Sequence, residues 1–465
     1  MISMKFKLFL TFFFIKVSFF AQFEDSILLR EIYNFSLTKS TCHDNLRSLC
    51  KDVGHRLSGS PSAQKAVEWG YNLLSTMNLD SVYLQPVKVP KWVRGEVEEV
   101  KWKDRKGNII ETHCTALGGS IGTNGTIKGK VIEINSWNEL DSLGKKNIAG
   151  NIVFFNRPMN PTYISTFMAY GSCVDQRHNG AVRAGQYGAK AVIVRSMTLK
   201  MDHNPHTGSM SYVDSIPKIP AAAISSKDAY KLSNALKDNR VKYLSIKLAC
   251  KQMPDTTSHN VIAEIRGSVF PDEIILVGGH LDSWDIGEGA HDDGAGVIQS
   301  IQVLESIKKL NIKPKRTIRC VLYMNEENGN RGGITYAEMV KNKNEDHLFA
   351  LESDRGGFSP RGFSIDGTPM QLKYIQGFEP LFEPYQLHLF YKGYGGVDIG
   401  PLRNGKTCLV GLVPDSQRYF DFHHAPTDVF ENVNKRELEL GASAITSMVY
   451  LIDKYGFPNK ANFKQ

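Results

Sequence analysis

The sequence predicts an α/β fold, a doubly wound mixed sheet flanked by helices, into which a smaller β-rich α+β domain is inserted. After Pro254, apolar strand-like runs alternate with amphipathic helical stretches, the pattern of strands joined by helices. Between about Leu117 and Cys250 the chain changes to short apolar runs separated by loops, which indicates a module with its own small core. The 465 residues, 42% of them hydrophobic and 22% charged, suffice for both domains. We therefore assign residues 22–116 and 251–465 to the main domain and residues 117–250 to the insertion.

Residues 1–21 are typical of a secretory signal peptide. Lys5 and Lys7 precede the apolar run LFLTFFFI, and Lys16 interrupts the apolar stretch before it is long enough to span a bilayer. We expect cleavage after Ala21 and a secreted or otherwise extracytoplasmic protein, periplasmic, extracellular or lysosomal depending on the organism, with no membrane attachment afterwards. An uncleaved N-terminal anchor is the alternative.

The charge pattern gives no indication of a nucleic-acid partner. Removing residues 1–21 takes away three lysines and no acidic residue, so the formal net charge falls from +8 to +5. The remaining excess is spread along the sequence without a basic run, so we expect no binding to nucleic acid. The seven cysteines are scattered. Cys320 lies in an apolar strand pattern typical of a buried free thiol, and a bond between Cys42 and Cys50 stays open.

The elements before the insertion are helical and then strand-like. The pattern is helical from about Glu24 to Met77, where Ser60 is placed to cap a helix with Ala66 and Trp69 on one face. The alternating segments VYLQPVKV and VEEVKW predict strands, and the short apolar runs KVIEI, NIVFF, KAVIVRS and IPAAAIS predict strands within the insertion.

The C-terminal part alternates strands with helices. Each predicted strand is apolar and each predicted helix has one apolar face. The strands run from Ile274 to Val277, Thr317 to Met324, His347 to Ser353 and Cys408 to Val413, and the helices from about Ala295 to Leu310 and Lys435 to Lys454.

Candidate metal ligands follow the ends of these strands. In open α/β sheets, sites form where the carboxyl ends of the strands meet, so ligands that follow different strands are expected to converge. Taken singly, each residue has an ordinary explanation: Asp292 and Asp293 could cap the helix that follows, and His291 could be a loop residue. The set is His280, Asp282 and Asp292 after the first strand, Glu326 and Glu327 after the second, Asp354 after the third, and His423, His424 and Asp428 after the last.

Charge counting favours two divalent ions. Three carboxylates and one bridging hydroxide would neutralise two divalent ions, whereas a single ion with three carboxylates would leave a buried negative charge. A mixture of imidazoles and carboxylates suits zinc better than calcium or magnesium. The predicted ligands are His280, Asp292, Glu327, Asp354 and His424.

Two such ions can hold a hydroxide and a substrate carbonyl together, the usual arrangement for hydrolysis of an amide bond. A carboxylate beside the ligands must take the proton and pass it to the leaving amine, and Glu326 is the natural general base. We expect Asp282 to support catalysis by orienting His280, and Asp428 to orient His424.

The motifs GGHLDSWDIGEGAHDDGAG, NEE, ESDRGG and FHHAPTD, in this order, resemble the carboxypeptidase Q (plasma glutamate carboxypeptidase) group of di-zinc exopeptidases. The resemblance extends to GHRLSGSPSAQKAVEW, LGGSIGT, IPKIPAAAIS and PKRTIR, and so covers nearly the whole chain after residue 21. It implies a zinc exopeptidase (phosphorylase/hydrolase-like) fold interrupted by a protease-associated domain. It also implies that His280 and Asp354 hold one zinc, that Glu327 and His424 hold the other, that Asp292 bridges them, and that Glu326 is the general base.

The same resemblance implies a substrate and an assembly: small peptides, chiefly dipeptides with free termini, and a possible homodimer. Arg355 stands beside Asp354 where the group often has a small residue, and we hypothesise that it pairs with a substrate carboxylate. A structural salt bridge is the alternative for Arg355. An aminopeptidase acting on longer peptides and a non-catalytic binding protein on the same scaffold are the rival functions.

Overall fold

The computed structural model describes residues 23–458, so the predicted signal peptide lies outside the described residues. Within that range no helix is both long and apolar enough to cross a membrane. The described strands form three sheets. They are β1 (Ser81–Val93), β2 (Glu98–Asp104), β3 (Ile109–Glu111), β4 (Cys114–Ala116), β5 (Ile127–Gly129), β6 (Val131–Ile134), β7 (Ile152–Phe155), β8 (Ala191–Arg195), β9 (Ala221–Ile224), β10 (Val241–Leu248), β11 (Lys251–Ile265), β12 (Phe270–His280), β13 (Arg316–Tyr323), β14 (Asp346–Glu352), β15 (Pro360–Asp366), β16 (Leu389–Lys392) and β17 (Cys408–Pro414).

Helices cover both faces of the main sheet. Helix α3 begins where the sequence predicts, because the Ser60 side chain accepts a hydrogen bond from the Ala63 amide. The described helices are α1 (residues 23–39), α2 (Cys42–Ser48), α3 (Pro61–Ser75), α4 (Trp137–Ile148), α5 (Thr166–Gly171), α6 (Asp175–Gln186), α7 (Ser226–Lys237), α8 (Ala295–Lys309), α9 (Arg331–Lys343), α10 (Pro369–Gln376), α11 (Glu379–Phe382) and α12 (Lys435–Tyr455).

The main domain is built on an eight-stranded mixed sheet in the order β1-β11-β13-β12-β14-β17-β15-β16. The four central strands, β13, β12, β14 and β17, are parallel to one another, and antiparallel pairs flank them. Ile275 and Val277 of β12 belong to the core that includes residues of α8 and α12, whereas Leu276 belongs to the core on the opposite face, with Tyr336 of α9. The predicted doubly wound mixed sheet is therefore confirmed.

Strand β12 runs three residues beyond its predicted end. It passes through Gly278 and Gly279 and ends at His280. A Cβ on Gly279 would lie 2.5 Å from Asp293 Oδ2 and 2.8 Å from the Gly296 carbonyl carbon. The absence of a side chain at this position lets the start of α8 pack directly against the strand end.

The inserted module contains two sheets. One is antiparallel, in the order β3-β2-β10-β5, and the other has the order β4-β9-β8-β7-β6 with four parallel strands. Strands β2, β3 and β4 pair within these sheets, so by strand pairing the module begins near Glu98, whereas the sequence interpretation began it at residue 117. The alternating pattern runs through β1 and β2 alike, and only the pairing partner tells them apart.

The module packs against the loops that follow the central strands. Tyr419 and Phe420 of the main domain share a core with residues of the module, and Trp284 joins a second shared core. All seven cysteines are free, including Cys42 and Cys50, and Cys320 is fully buried as predicted.

Candidate metal centre

The central parallel strands carry the predicted ligands to one edge of the main sheet. His280 is the last residue of β12, and Glu327 and Asp354 follow β13 and β14 within a few residues. His424 lies in the loop after β17, and Asp292 lies in a turn just before α8. The five side chains predicted as ligands therefore converge, as strands that end at the same edge require.

Asp292 lies between the two histidines. Its Oδ1 is 3.1 Å from His280 Nε2, and its Oδ2 is 3.2 Å from His424 Nε2. On one side, Asp354 Oδ1 is 3.5 Å from His280 Nε2, and on the other, Glu327 Oε2 is 3.1 Å from His424 Nε2. The cluster thus has two lobes that share the Asp292 carboxylate.

His423 is a further candidate ligand that the sequence interpretation did not select. Its Nε2 is 3.6 Å from Asp292 Oδ2, and its ring stacks on that of His424 with centroids 3.5 Å apart. One ligand atom from each of Asp292, His423 and His424 lies within 4.8 Å of the others, as does one from each of His280, Asp292 and Asp354. His424 contacts both Asp292 and Glu327, so it remains the better placed of the two adjacent histidines.

The buried carboxylates of the cluster favour positive charge on or near the two histidines. Burial opposes protonation of His424, yet the carboxylates of Glu327 and Asp292 raise its pKa to about 9. The pKa of His280 is likewise raised, against burial, by Asp292 and Asp354. Without a cation, protons on these imidazoles would have to offset the buried carboxylates.

The residues present fit divalent zinc. Asp292 Oδ2 and Asp354 Oδ1 are buried and have no hydrogen-bond partner among the described residues. The Nδ1 of His280 lies 2.9 Å from the Asp282 carbonyl oxygen, which fixes a tautomer with the Nε2 lone pair facing the cluster. A cavity of about 10 Å³, enough for one ion or water, borders Asp292, Glu327 and His424.

Asp282 supports the glutamates rather than the imidazole. Its carboxylate accepts hydrogen bonds from the backbone amides of Asn325 at 2.7 Å and Glu326 at 3.0 Å, whereas its Oδ1 is 3.8 Å from His280 Nδ1. The expectation that the Asp282 side chain orients His280 is wrong: the backbone carbonyl does so. The buried carboxylate instead fixes the turn that presents Glu326 and Glu327.

Glu326 is half-buried beside the cluster. Burial, followed by the neighbouring carboxylates of Asp354 and Glu327, raises the pKa of Glu326, with His280 acting in the opposite direction. A carboxylate with a raised pKa next to two acidic ligands is suited to accept a proton and to return it.

Asp428 also differs from its predicted role. Its Oδ1 accepts a hydrogen bond from the backbone amide of His291 at 2.7 Å, and its Oδ2 accepts one from the backbone amide of Asp292 at 3.1 Å. Asp428 therefore positions Asp292, the carboxylate shared by the two lobes, rather than His424. His291 lies in the loop before α8, as predicted, but it is fully buried, with its ring stacked on Phe358 at 4.2 Å. The Asp293 carboxylate accepts hydrogen bonds from the backbone amides of His280 and Gly296, each at 3.0 Å. It therefore supports the end of β12 and caps the start of α8.

Arg355 lines a cleft of about 840 Å³ that also borders Asp354. Its guanidinium donates to the Tyr394 carbonyl at 3.1 Å and lies 5.8 Å from the centre of the Phe167 ring. Arg355 forms no ion pair with any described carboxylate, so the alternative of a structural salt bridge is not supported. The cleft is large enough for a small peptide.

The inserted module contributes residues that the sequence interpretation missed. Arg177 of α6 is 7% exposed, its Nη1 lies 3.4 Å from His424 Nδ1, and its Nε has no hydrogen-bond partner within residues 23–458. His206 lies with its Nδ1 2.7 Å from the His423 carbonyl oxygen, and Thr207 donates its amide to the His424 carbonyl at 2.9 Å. Neither Arg177 nor His206 stands in a local pattern that points to a site.

The sequence matches a peptidase family and is similar to carboxypeptidase Q proteins. The profile of peptidase family M28 matches residues 260–449. Carboxypeptidase Q of Xenopus laevis is 36% identical over 411 residues, which cover 88% of this chain and 85% of the relative. Carboxypeptidase Q of Homo sapiens is 33% identical over 419 residues, which cover 90% of this chain and 86% of the relative.

Solved structures show the same architecture. The crystal structure of a peptidase M28 precursor from Shewanella amazonensis superposes with a TM-score of 0.89 at 32% sequence identity, covering 94% of this chain and 100% of that one. A zinc aminopeptidase from Bacillus subtilis superposes with a TM-score of 0.64 at 18% identity, covering 88% of this chain and 94% of that one. The second likeness extends to the fold alone.

Proposed function

The chain belongs to peptidase family M28 and, within it, to the carboxypeptidase Q-like group, and from this premise we propose that it is a secreted di-zinc exopeptidase that hydrolyses dipeptides with free termini. As a member of this family the protein is a zinc metallopeptidase. The observation that carries the proposal is the two-lobed cluster in which Asp292 faces His280 on one side and His424 on the other.

We assign five residues to zinc binding. Asp354 and His280 would hold one ion, Glu327 and His424 the other, with Asp292 shared between them. Ions bound there would polarise the scissile carbonyl and lower the pKa of a nearby water.

The protein's own groups then have defined tasks. Glu326 would take the proton of the attacking water and deliver it to the leaving amine nitrogen, for which its raised pKa is suited. Asp282 would keep Glu326 in place through the backbone amide that it accepts at 3.0 Å. Asp428 would keep Asp292 in place in the same way.

One guanidinium group in the cleft supports a substrate with a free carboxylate. Arg355 lines the cleft beside Asp354 and is not paired with a carboxylate among the described residues, so it is available to one from the substrate. The buried Arg177 does not line the cleft and contacts His424 instead. A guanidinium binds a carboxylate through two parallel hydrogen bonds, which would select dipeptides over peptide amides.

Three further features are proposed on the resemblance to the carboxypeptidase Q-like group. They are secretion after removal of residues 1–21, assignment of the inserted module as a protease-associated domain, and assembly as a homodimer. An aminopeptidase acting on longer peptides is the second candidate. The cleft of about 840 Å³ leaves room for such a substrate, whereas the unpaired Arg355 that lines it favours the first candidate.

The deciding experiment combines metal content with substrate length. Elemental analysis of the wild type and of Asp292→Ala is paired with hydrolysis of an unblocked dipeptide, an N-acetylated dipeptide and an aminoacyl chromogenic amide. Asp238→Ala, which changes an exposed aspartate of the inserted module, is the control.

We expect Asp292→Ala to carry about two zinc ions per chain fewer than the wild type, with cleavage by the wild type confined to the unblocked dipeptide. Preference for the aminoacyl amide or for longer peptides would move the chain to the aminopeptidases. A metal-free wild type without activity would support a non-catalytic binding protein.

A further inference from the structure

A second group of metal-binding side chains lies in the inserted module and includes none of the catalytic residues. His113 Nδ1 is 2.9 Å and His203 Nδ1 is 3.7 Å from Asp228 Oδ2. The two imidazole rings have centroids 4.4 Å apart, and one ligand atom from each residue lies within 4.8 Å of the other two. We propose that His113, His203 and Asp228 bind a divalent transition-metal ion at an accessory site that is independent of the proposed peptidase function.

The carboxylate of the accessory site is fixed before any ion arrives. Asp228 lies in the first turn of α7 and is buried, with a side chain 5% exposed. Its Oδ2 accepts hydrogen bonds from the backbone amide of His113 at 2.9 Å and from Ser225 Oγ at 2.8 Å. Metal-binding carboxylates are typically held by hydrogen bonds of this kind, which lower the entropy lost on binding.

The segment that carries His203 is also fixed. The backbone carbonyl of its neighbour Asp202 accepts a hydrogen bond from the Lys227 amide at 3.1 Å. The backbone amide of Asp202 donates a hydrogen bond to Ser226 Oγ at 3.0 Å. These bonds hold the segment against the start of α7, beside Asp228. Three separate segments of the module therefore each bring one ligand atom within 4.8 Å of the other two.

The ligand types favour zinc or copper. Two imidazoles with one carboxylate suit Zn²⁺ and Cu²⁺, whereas Ca²⁺ and Mg²⁺ prefer a shell of oxygen atoms. The side chains of His113 and His203 are 57% and 53% exposed, so an ion can enter from solvent and water can complete its coordination. This openness distinguishes the accessory site from the buried catalytic cluster.

The first test measures zinc on the full-length holoenzyme. Wild type, His113→Gln and His203→Gln are dialysed to equilibrium against the same free zinc concentrations, and bound zinc per chain is measured by elemental analysis. His55→Gln, which changes an exposed histidine of the main domain, is the matched control. We expect the wild type and His55→Gln to bind one zinc more than either His113→Gln or His203→Gln. Equal zinc content in all four proteins would overturn the proposal.

The second test identifies the ligand atoms of the bound ion directly. Cu²⁺ is added to wild type that carries only about two zinc ions per chain, and electron paramagnetic resonance reports the nitrogen atoms bound to the copper. Coupling to two imidazole nitrogens, which disappears when both histidines are replaced, is the expected result. A spectrum with no nitrogen coupling, or one that the double variant reproduces, would refute the accessory site.

Discussion

Asp428 holds the backbone of Asp292: the Asp428 Oδ2 atom accepts the Asp292 amide at 3.1 Å, and its Oδ1 atom accepts the adjoining His291 amide at 2.7 Å. The residue that the two lobes of the metal centre share is thus set by a carboxylate 136 positions away in the chain. Since both oxygens of Asp428 accept, a side chain with one acceptor and one donor cannot replace it without loss.

Replacing Asp428 with Asn should therefore weaken the metal centre while leaving every proposed ligand in place. The Asn amide group would face one of the two backbone N–H groups, so Asp292 would shift away from the histidines. We expect zinc affinity and kcat/KM to fall about 10- to 100-fold, the usual effect of losing such a supporting contact. Competition with a chelator and dipeptide kinetics measure the two quantities, and unchanged zinc affinity would show that Asp292 keeps its position unaided.

Replacing Glu326 with Gln should separate chemistry from metal binding. Glu326 is not among the proposed ligands, and Gln keeps its size but cannot accept a proton. We expect kcat to fall by about 10²- to 10⁴-fold with zinc content unchanged. Glu338→Gln, which changes an exposed glutamate, is the control. A loss of zinc in Glu326→Gln would instead place Glu326 among the ligands.

Arg355 lines the cleft beside Asp354 and is placed to bind a substrate carboxylate. Replacing Arg355 with Ala should raise the KM for dipeptides, because its guanidinium borders the cleft beside Asp354. The corresponding dipeptide amide, which lacks the carboxylate, should not respond. An unchanged KM for the dipeptide would remove Arg355 from the substrate site.

The convergence of the proposed ligands could be predicted from sequence, because each lies at or after the end of a strand. His280 ends β12, and Glu327, Asp354 and His424 follow the neighbouring parallel strands, which must end at the same edge of a sheet. The pattern of apolar runs therefore predicted where these side chains meet. Asp292 could be placed at the same edge because it lies in the connection between β12 and α8.

Other parts of the site could not be predicted, because they depend on side-chain direction or on tertiary contact. Asp282 and Asp428 lie close in sequence to histidines, yet their carboxylates turn to backbone amides on other segments. Arg177 reaches His424 across 247 positions, from a helix of the inserted module. The start of that module was also misplaced, since β1 and β2 share an alternating pattern and differ only in their partners.

Replacing Gly118 with Ala should loosen the contact between the inserted module and the metal centre. A Cβ on Gly118 would lie 1.7 Å from Trp284 Cη2, so the indole would have to move. The backbone amide of Trp284 donates to Glu327 Oε1 at 3.2 Å, and its displacement would disturb that glutamate. We expect about 1 to 3 kcal/mol of destabilisation, measured by urea unfolding, together with weaker zinc binding. Gly171→Ala, where a Cβ meets nothing within 4 Å, should leave both quantities close to wild type.

His347, at the start of β14, should make the stability of the fold depend on pH. Burial, and secondarily Arg319, lowers the pKa of His347 from 6.5 to about 3, and its Nε2 lies 2.8 Å from the Tyr336 hydroxyl. Between pH 3 and pH 6.5, His347 is protonated in the unfolded chain but neutral in the folded protein. Stability is therefore fully present above pH 6.5 and falls as the pH drops towards 3, by about 1.4 kcal/mol per pH unit for this group.

His347→Gln keeps a hydrogen-bond acceptor for Tyr336 but cannot titrate, so the free energy of unfolding should decrease less steeply with falling pH than in the wild type. Urea unfolding at a series of pH values and constant free zinc measures the slope. Tyr336→Phe is the control: it should lower stability at every pH and retain the wild-type slope, because the burial of His347 is unchanged. Parallel curves for His347→Gln and wild type would show that His347 is protonated in the folded protein as readily as in the unfolded chain.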